Sequence, residues 1–299
     1  MSPWTATDIP DQTGRTYVIT GANSGIGLAA AREVVRKGAR VILAVRNTAK
    51  GEEAARGMPG ETEVRALDLA DLSSVRAFAQ AVDEDVAVLV NNAGVMNIPL
   101  ARTADGFEMQ FGTNHLGHFA LTNLLLPRIT DRVVVVASGA HRFGKMRFDD
   151  LNWEQGYQRH RAYGQAKLSN LLFMSELQRE LEAAGSSVRA VGAHPGWAAT
   201  NLQRNSGNPI EHLLVHTIGN RLWAQSGDMG ALPTLFAATQ DIPGDTYIGP
   251  DGRGEMRGYP TVVGRSAAAQ DAEAAARLWA ESERLTGVSF PREASTLVR

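Results

Sequence analysis

At 299 residues the chain is long enough to bury a large core in one domain or two. Its formal net charge of −2, with both signs mixed along the chain, gives no electrostatic case for binding nucleic acid or an anionic membrane surface. The sequence contains no cysteine, which excludes disulfides, thiolate nucleophiles and zinc–cysteine sites.

The first residues and the hydropathy pattern bear on where the protein works. Residues 1–10 have neither the basic start nor the apolar run of a signal peptide. No stretch of about 18 apolar residues runs uninterrupted, so we expect no membrane span. The sequence therefore predicts a cytoplasmic protein.

Short apolar runs, rich in β-branched residues, alternate with longer helical stretches. The predicted strands are residues 16–20, 40–45, 62–67, 86–90, 132–137 and 187–191. Helices are predicted up to about Arg36, after the second strand, after Asp71 and from about Asp105. Apolar runs separated by helices are typical of parallel strands buried on both faces. This pattern predicts an α/β fold with a doubly wound parallel sheet flanked by helices.

The chain has no linker, internal repeat or low-complexity segment that would divide it. We therefore expect a single domain over residues 1–299, with residues 1–12 as a loose tail. Residues 201–228 interrupt the alternation of strands and helices. We interpret this stretch as a substrate flap beside the active site.

A glycine-rich turn follows the first predicted strand and opens the first predicted helix, which is the context that a dinucleotide-binding motif requires. The glycines permit a tight turn and a close backbone approach to a pyrophosphate, and the helix N-terminus attracts its charge. The predicted cofactor contacts in this turn are Gly21, Asn23, Ser24, Gly25, Ile26 and Gly27.

The end of the second strand indicates which nicotinamide cofactor is bound. A site for NAD(H) usually places an acid here on the ribose hydroxyls. This strand instead ends in Arg46 and Asn47, and the first acid after it is Glu52. Arginine in place of the acid favours the 2′-phosphate of NADP(H) over NAD(H), although a solvated arginine at a strand end would look the same.

Tyr163 and Lys167 stand four residues apart, so on a helix they share one face. A phenol ionises near pH ~10 in water, and a neighbouring cation can make it a proton-transfer group at neutral pH. In isolation such a pair is as readily a surface contact without chemistry.

The glycine turn, the run Asn91-Asn92-Ala93-Gly94 and the Tyr163/Lys167 pair together resemble the short-chain dehydrogenase/reductase family, from about residue 14 to the C-terminal helix. The resemblance implies a catalytic tetrad of Asn114, Ser138, Tyr163 and Lys167. It also implies cofactor contacts by Tyr163 and Lys167 and by Asp68, Leu69, Asn91, Ala93, Gly94, Pro195, Gly196 and Thr200.

The interval between Ser138 and Tyr163 is longer than in the ordinary family, because residues 141–152 are inserted. This insert is similar to that of the retinol-dehydrogenase-like and protochlorophyllide-reductase-like branch, whose members mostly use NADP(H). The vertebrate retinol enzymes carry an N-terminal membrane anchor, and we expect none in this protein.

These patterns predict an NADP(H)-dependent oxidoreductase that moves a hydride between nicotinamide and a lipophilic aldehyde, ketone or alcohol. One alternative is a non-catalytic NADP(H)-binding regulatory protein on the same scaffold. Another is dehydration or epimerisation of a nucleotide sugar, which the short C-terminal region disfavours. The sequence leaves open whether the protein forms a homo-oligomer.

Other polar residues are better explained by structure than by chemistry. His115 and His118 are expected to pack or cap within their helix. His212 and His216 have a spacing suited to a metal, but no third ligand accompanies them, so we predict no metal site. Asp149 and Asp150 are expected to serve a turn.

Overall fold

Residues 3–196 and 226–291 are described by the computed structural model, and they build one sheet of eight strands. The strands are β1 (Thr16–Thr20), β2 (Arg40–Val45), β3 (Thr62–Ala66), β4 (Val86–Asn91), β5 (Ile129–Val136), β6 (Arg189–Ala193), β7 (Tyr247–Pro250) and β8 (Pro260–Val262).

The strand order is β3-β2-β1-β4-β5-β6-β7-β8. All neighbours are parallel except β7 and β8, which are antiparallel. The predicted doubly wound parallel sheet is therefore confirmed. The two short strands β7 and β8, and the antiparallel edge that they make, were not predicted.

Helices cover both faces of this sheet. They are α1 (Gly25–Arg36), α2 (Thr48–Arg56), α3 (Leu72–Ala81), α4 (Met109–Phe111), α5 (Gly117–Leu125), α6 (Arg159–Ala183), α7 (Gly227–Thr239) and α8 (Ala272–Thr286). None of the helices within the described ranges is long and apolar enough to cross a membrane.

Alternate side chains of the central strands enter two separate cores. Val18 of β1 packs in the cluster that contains residues of α3, α5, α6 and α8, whereas Tyr17 and Ile19 pack in the cluster with α1 and α7. Both clusters exclude water almost completely, since these three side chains are at most 1% exposed. Burial on both faces explains why the strands read as continuous apolar runs.

Several helix and strand boundaries differ from the prediction, and β5 begins at Ile129, three residues earlier than expected. The helix expected from about Asp105 begins at Met109, because the Glu108 carboxylate caps it by accepting hydrogen bonds from the Gln110 and Phe111 amides. The sixth strand begins at Arg189, two residues later than predicted, since its pairing with β5 starts at Arg132.

Residues 3–12 are not the loose tail that we expected. Trp4 packs edge-on against Phe236 of α7 with ring centroids 5.2 Å apart, and residues 6–8 form a short 3₁₀-helix. Ile9 and Gln12 are each 3% exposed, and the Tyr17 hydroxyl donates to the Gln12 side chain. These contacts bind the segment to the sheet.

The expected flap lies mostly outside the described residues, as do residues 197–200. Its last residues, 226–228, belong to a regular element. Ser226 caps α7 by accepting a hydrogen bond from the Met229 amide, and Asp228 pairs with Arg32 of α1 at 3.0 Å.

Candidate active site

The predicted site residues meet where the direction of the sheet's connections reverses. β1 and β4 are neighbours in the sheet, although two strands and three helices separate them in sequence. Crossovers that leave in opposite directions open a crevice at the carboxyl ends of such strands. The glycine turn, the Asn91–Gly94 run, Ser138 and His194 follow β1, β4, β5 and β6, so all four lie along this edge.

The glycine turn has a shape that only glycine allows at three positions. Gly21 and Gly25 adopt positive φ values of 69° and 56°. At Gly27, a Cβ atom would lie 2.6 Å from the Gly21 carbonyl oxygen and 2.5 Å from the Asn92 side chain. Ser24 stands at the N-cap of α1, so the first amides of that helix open onto the crevice. Asn23 and Ile26 lie in the same turn.

A buried hydrogen-bond network, whose partners were not predicted from the sequence, connects the glycine turn to the Asn91–Gly94 run. The Thr20 hydroxyl accepts hydrogen bonds from the Asn92 and Ala93 amides at 2.9 and 2.8 Å. His118 Nε2 lies 3.0 Å from the same hydroxyl, and His118 Nδ1 lies 3.0 Å from the Asn114 carbonyl oxygen.

The protonation state of His118 follows from this geometry. Burial lowers the pKa of His118 to about 4, so the ring is neutral at neutral pH. Nδ1–H must then donate to the Asn114 carbonyl, and Nε2 must accept from Thr20. His118 therefore joins β1, the run after β4 and the helix that carries Asn114.

Asn114 lies in a π-helical turn, Gly112–Leu116, between α4 and α5. Such insertions into a helix occur frequently at functional sites. Both polar atoms of the Asn114 side chain are anchored, since Oδ1 accepts from the Val95 amide at 2.8 Å and Nδ2 donates to the Val95 carbonyl at 2.9 Å. These bonds fix the loop after Gly94. A Cβ atom added at Gly94 would lie 2.9 Å from Asn114 Oδ1, so the close approach requires glycine.

The residues proposed for the adenosine half of the cofactor lie at the ends of β2 and β3. Arg46 and Asn47 directly follow β2 and are exposed, and Asn47 caps α2 by accepting from the Lys50 amide at 2.9 Å. Asp68 follows β3 and accepts from the Ala70 amide at 2.9 Å. Leu69 is buried, with its carbonyl against Gly117 of α5.

Ser138, Tyr163 and Lys167 converge behind the end of β5. Tyr163 and Lys167 lie on one face of α6, and the Lys167 ammonium is 5.9 Å from the Tyr163 ring centroid. Lys167 Nζ donates to the Val136 carbonyl, the last residue of β5, at 2.9 Å. Ser138, two residues further on, lies close enough to Tyr163 to lower the pKa of the phenol.

The charge states differ from the simple expectation that the lysine makes the phenol acidic. Burial raises the pKa of Tyr163 to about 12, and the hydrogen bond with Ser138 offsets only part of this rise. Burial also lowers the pKa of Lys167 to about 8. Desolvation outweighs the attraction between the two groups. The phenol therefore holds its proton at neutral pH, which suits a proton donor.

The lowered pKa of Lys167 predicts how the reduction of a carbonyl depends on pH. We expect kcat/KM to fall as pH rises through about 8, because the neutral amine no longer stabilises negative charge on the phenol. The initial rate of oxidation of a reduced nicotinamide cofactor, measured across a pH series with circular dichroism at each point, tests this. A profile that stays flat to about pH 10, where lysine titrates in water, would contradict the assignment of Lys167.

The loop after β6 is held by a second polar cluster, and it begins with His194, Pro195 and Gly196. The Glu255 carboxylate contacts His194 Nε2 at 3.0 Å and pairs with Arg142 at 2.7 Å. Gly196 has a φ of 64°, and a Cβ there would lie 2.5 Å from the Met256 carbonyl. Glu255 thus links this loop to the 3₁₀-helix that follows Ser138. Thr200 lies outside the described residues.

The remaining polar residues have structural partners. His115 Nε2 lies 2.8 Å from the Ser282 hydroxyl of α8, and burial lowers the pKa of His115 to about 3. Asp150 accepts hydrogen bonds from the Glu154 and Gln155 amides, and exposed Asp149 lies 4.0 Å from Arg277. The described residues contain no cluster of side chains that could hold a metal ion. His212 and His216 lie outside them.

The sequence matches a known family of enzymes. The profile of the short chain dehydrogenase family matches residues 15–210. Retinol dehydrogenase 13 from Homo sapiens is 42% identical over 297 residues, which cover 93% of this chain and 86% of that protein. Retinol dehydrogenase 12 from Mus musculus is 48% identical over 205 residues, which cover 64% of each chain.

Solved structures show the same similarity. A protein of uncharacterised function from Mycobacterium paratuberculosis superposes with a TM-score of 0.86 at 55% identity, covering 97% of this chain and all of that one. A protein from Beutenbergia cavernae, assigned as an NAD(P)-dependent gluconate 5-dehydrogenase and crystallised with NADP at low occupancy, gives a TM-score of 0.56 at 28% identity. That match covers 77% of this chain and 91% of the other.

Proposed function

The chain belongs to the short-chain dehydrogenase/reductase family, in its retinol-dehydrogenase-like branch, and from this premise we propose that it is an NADP(H)-dependent reductase or dehydrogenase of lipophilic carbonyl compounds or alcohols. The family makes it an oxidoreductase acting on an alcohol or a carbonyl group. The convergence of Ser138, Tyr163 and Lys167 at the carboxyl edge of the sheet is the observation that carries the proposal.

The residues present fit a bound dinucleotide. The Gly27 position excludes a side chain because the backbone of Gly21 lies against it, and the amides that begin α1 face the crevice. The Lys167 ammonium has three N–H donors, and one of them donates to the Val136 carbonyl. The other two are available for the ribose hydroxyls beside the nicotinamide. A bound nicotinamide would supply the hydride that adds to the carbonyl carbon.

The protein's own part in reduction is to deliver a proton and to stabilise charge on oxygen. Tyr163, protonated at neutral pH, donates its proton to the carbonyl oxygen as that oxygen gains negative charge. Ser138 donates a hydrogen bond to the same oxygen. Lys167 stabilises the phenolate that remains. Oxidation of an alcohol uses these residues in the reverse direction.

The preference for NADP(H) rests on Arg46, which is exposed at the end of β2 with no acid before Glu52. We expect Arg46→Ala to raise KM for NADPH by about 10- to 100-fold, the value of a charge-assisted hydrogen bond. The efficiency with NADH should change little. Steady-state kinetics with each cofactor measures both. Arg56→Ala, which removes an exposed arginine from the other end of α2, is the matched control.

Comparable efficiency of the unaltered protein with NADPH and NADH would contradict this assignment. The bound NADP in the Beutenbergia cavernae structure supports use of a phosphorylated cofactor on this scaffold. It does not bear on Arg46 itself, so the variant is needed.

A panel of aldehydes and ketones, followed by the loss of nicotinamide absorbance, tests the reaction. The names of the retinol dehydrogenase relatives support an apolar substrate. So does the apolar content of residues 201–225, which lie outside the described residues. Tight binding of NADPH without turnover of any member of the panel would favour a non-catalytic NADP(H)-binding protein instead.

A further inference from the structure

A groove of about 850 Å³ lies between the inserted segment and the start of α6. Its volume falls within the range of ligand sites in proteins. Phe143 and Trp153 provide aromatic walls, and the charged side chains that line it are Lys145, Arg147 and Arg161. Among the described residues, no carboxylate lines this groove. His160 lines it as well.

Two of the three cations are available to a ligand. Arg147 pairs with Asp150 at 2.7 Å and lies over the Trp153 ring at 4.1 Å, so its charge is already compensated by these two contacts. Lys145 and Arg161 are exposed, and neither forms an ion pair with a residue in the described ranges. The groove therefore carries uncompensated positive charge beside apolar surface.

A residue that lines the groove also has a buried donor without an acceptor. Trp153 is 4% exposed, and its indole Nε1–H has no hydrogen-bond partner among the described residues. Buried donors of this kind are nearly always satisfied by a protein group, water or a ligand. An oxyanion beside Lys145 and Arg161 would lie against the wall that the Trp153 side chain forms.

The first turn of α6 adds to the positive field. Its N-cap residue, Gln158, makes no side-chain capping bond, and the turn contains no acid. Acids are favoured at this end of a helix because of its dipole, whereas this turn presents His160 and Arg161 to the groove. A bound anion would offset this unfavourable arrangement.

The groove lies close to the proton donor. His160 precedes Tyr163 by three residues on α6, which is about 4.5 Å along the helix axis. Phe143 ends the 3₁₀-helix that Ser138 begins, so five residues, or roughly 10 Å at the rise of such a helix, separate it from Ser138. The Phe143 ring also packs on Gly164, the residue after Tyr163.

We propose that this groove binds an oxyanion, such as a carboxylate, at the end of the substrate remote from its reacting carbonyl. The proposal rests on the proposed function and adds a substrate class to it: amphiphilic oxo acids and hydroxy acids with an apolar body. The body contacts Phe143 and Trp153, and the anion contacts Lys145 and Arg161.

A series of ω-oxo carboxylates of increasing chain length, each compared with its methyl ester, tests the proposal with NADPH as the reductant. We expect kcat/KM to favour the acid by at least about tenfold at the chain length that spans the groove. The preference should shrink at shorter lengths and with added salt.

Arg161→Gln and Lys145→Gln should each lower the ratio of acid to ester efficiency, and the double variant should bring it near unity. Both side chains are exposed, so the variants should fold, and thermal unfolding checks this. Arg284→Gln, which removes an exposed arginine on the last turn of α8, is the matched control and should keep the ratio.

A binding measurement separates failure of this inference from failure of the proposed function. A saturated fatty carboxylate without a carbonyl should bind to the NADPH-loaded protein in calorimetry, and Arg161→Gln should weaken it about tenfold or more. If the esters are reduced but the acids are never preferred, the groove assignment is wrong and the reductase assignment stands. Carboxylate binding that depends on Arg161 without any turnover supports the groove and removes the proposed function. If the carboxylate does not bind and the acids are not preferred over their esters, the inference is overturned.

Discussion

Tyr163→Phe should lower kcat for carbonyl reduction by at least ~10²-fold, the usual contribution of a positioned proton-transfer group. The variant keeps the ring, which packs in a site where Tyr163 is 9% exposed, and removes only the hydroxyl. Because the phenol proton is not needed to hold the dinucleotide, the dissociation constant for NADPH should change little. Stopped-flow reduction and fluorescence titration of NADPH measure the two quantities.

Tyr17→Phe is the matched control for this change. Tyr17 is also buried, and its hydroxyl donates to Gln12 near the amino end of β1, away from the crevice. That variant should retain most of its turnover. If Tyr163→Phe kept a kcat within a few-fold of the unaltered enzyme, Tyr163 would not be the proton donor.

Ser138→Ala should lower kcat by about 10²- to 10³-fold, as the loss of a hydrogen-bond donor to a developing oxyanion does elsewhere. The same substitution removes the cap that accepts a hydrogen bond from the Ala140 amide at 3.2 Å, at a cost of about 1 kcal/mol in the free energy of unfolding. Stopped-flow kinetics and urea denaturation report these effects separately.

Ser138→Thr distinguishes the two roles of this side chain. Threonine keeps a hydroxyl that can cap the 3₁₀-helix and donate to the substrate oxygen, so we expect most of the turnover to return. A Ser138→Ala variant that is less stable but turns over normally would show that Ser138 serves only the local fold.

Much of the fold and part of the site could be predicted because their signals are local. The glycine turn requires positive φ at Gly21 and Gly25, and that requirement is visible in the residue type. The pairing of Tyr163 with Lys167 follows from helix geometry, and both lie on one face of α6. The doubly wound sheet followed from apolar runs, and the structure confirms it.

The supporting contacts could not be predicted because their partners are far apart in sequence. His118 meets Thr20 across 98 residues, and Glu255 meets Arg142 across 113. Neither histidine nor glutamate at those positions carries a local pattern that indicates such a bond. The π-helical turn around Asn114 could not be predicted from the sequence either, since it depends on how the loop after β4 packs against the helix.

The charge states of Tyr163 and Lys167 show what spacing alone leaves out. The spacing predicts a lysine that lowers the pKa of the phenol. The structure buries both groups, and burial raises the pKa of Tyr163 and lowers that of Lys167. Burial is a property of the whole fold, because insert, sheet and helix together exclude water from this pair.

The most direct test of the proposed chemistry follows the hydrogen itself. NADPH that carries deuterium on the transferring face of nicotinamide C4 is incubated with an aldehyde, and the alcohol product is analysed by mass spectrometry. If Ser138, Tyr163 and Lys167 deliver the proton opposite a bound nicotinamide, the alcohol gains one deuterium on the former carbonyl carbon, and Tyr163→Phe forms this product at least ~10²-fold more slowly. Oxidation of the deuterated NADPH without deuterium at that carbon, or equal rates in the two proteins, would contradict the account.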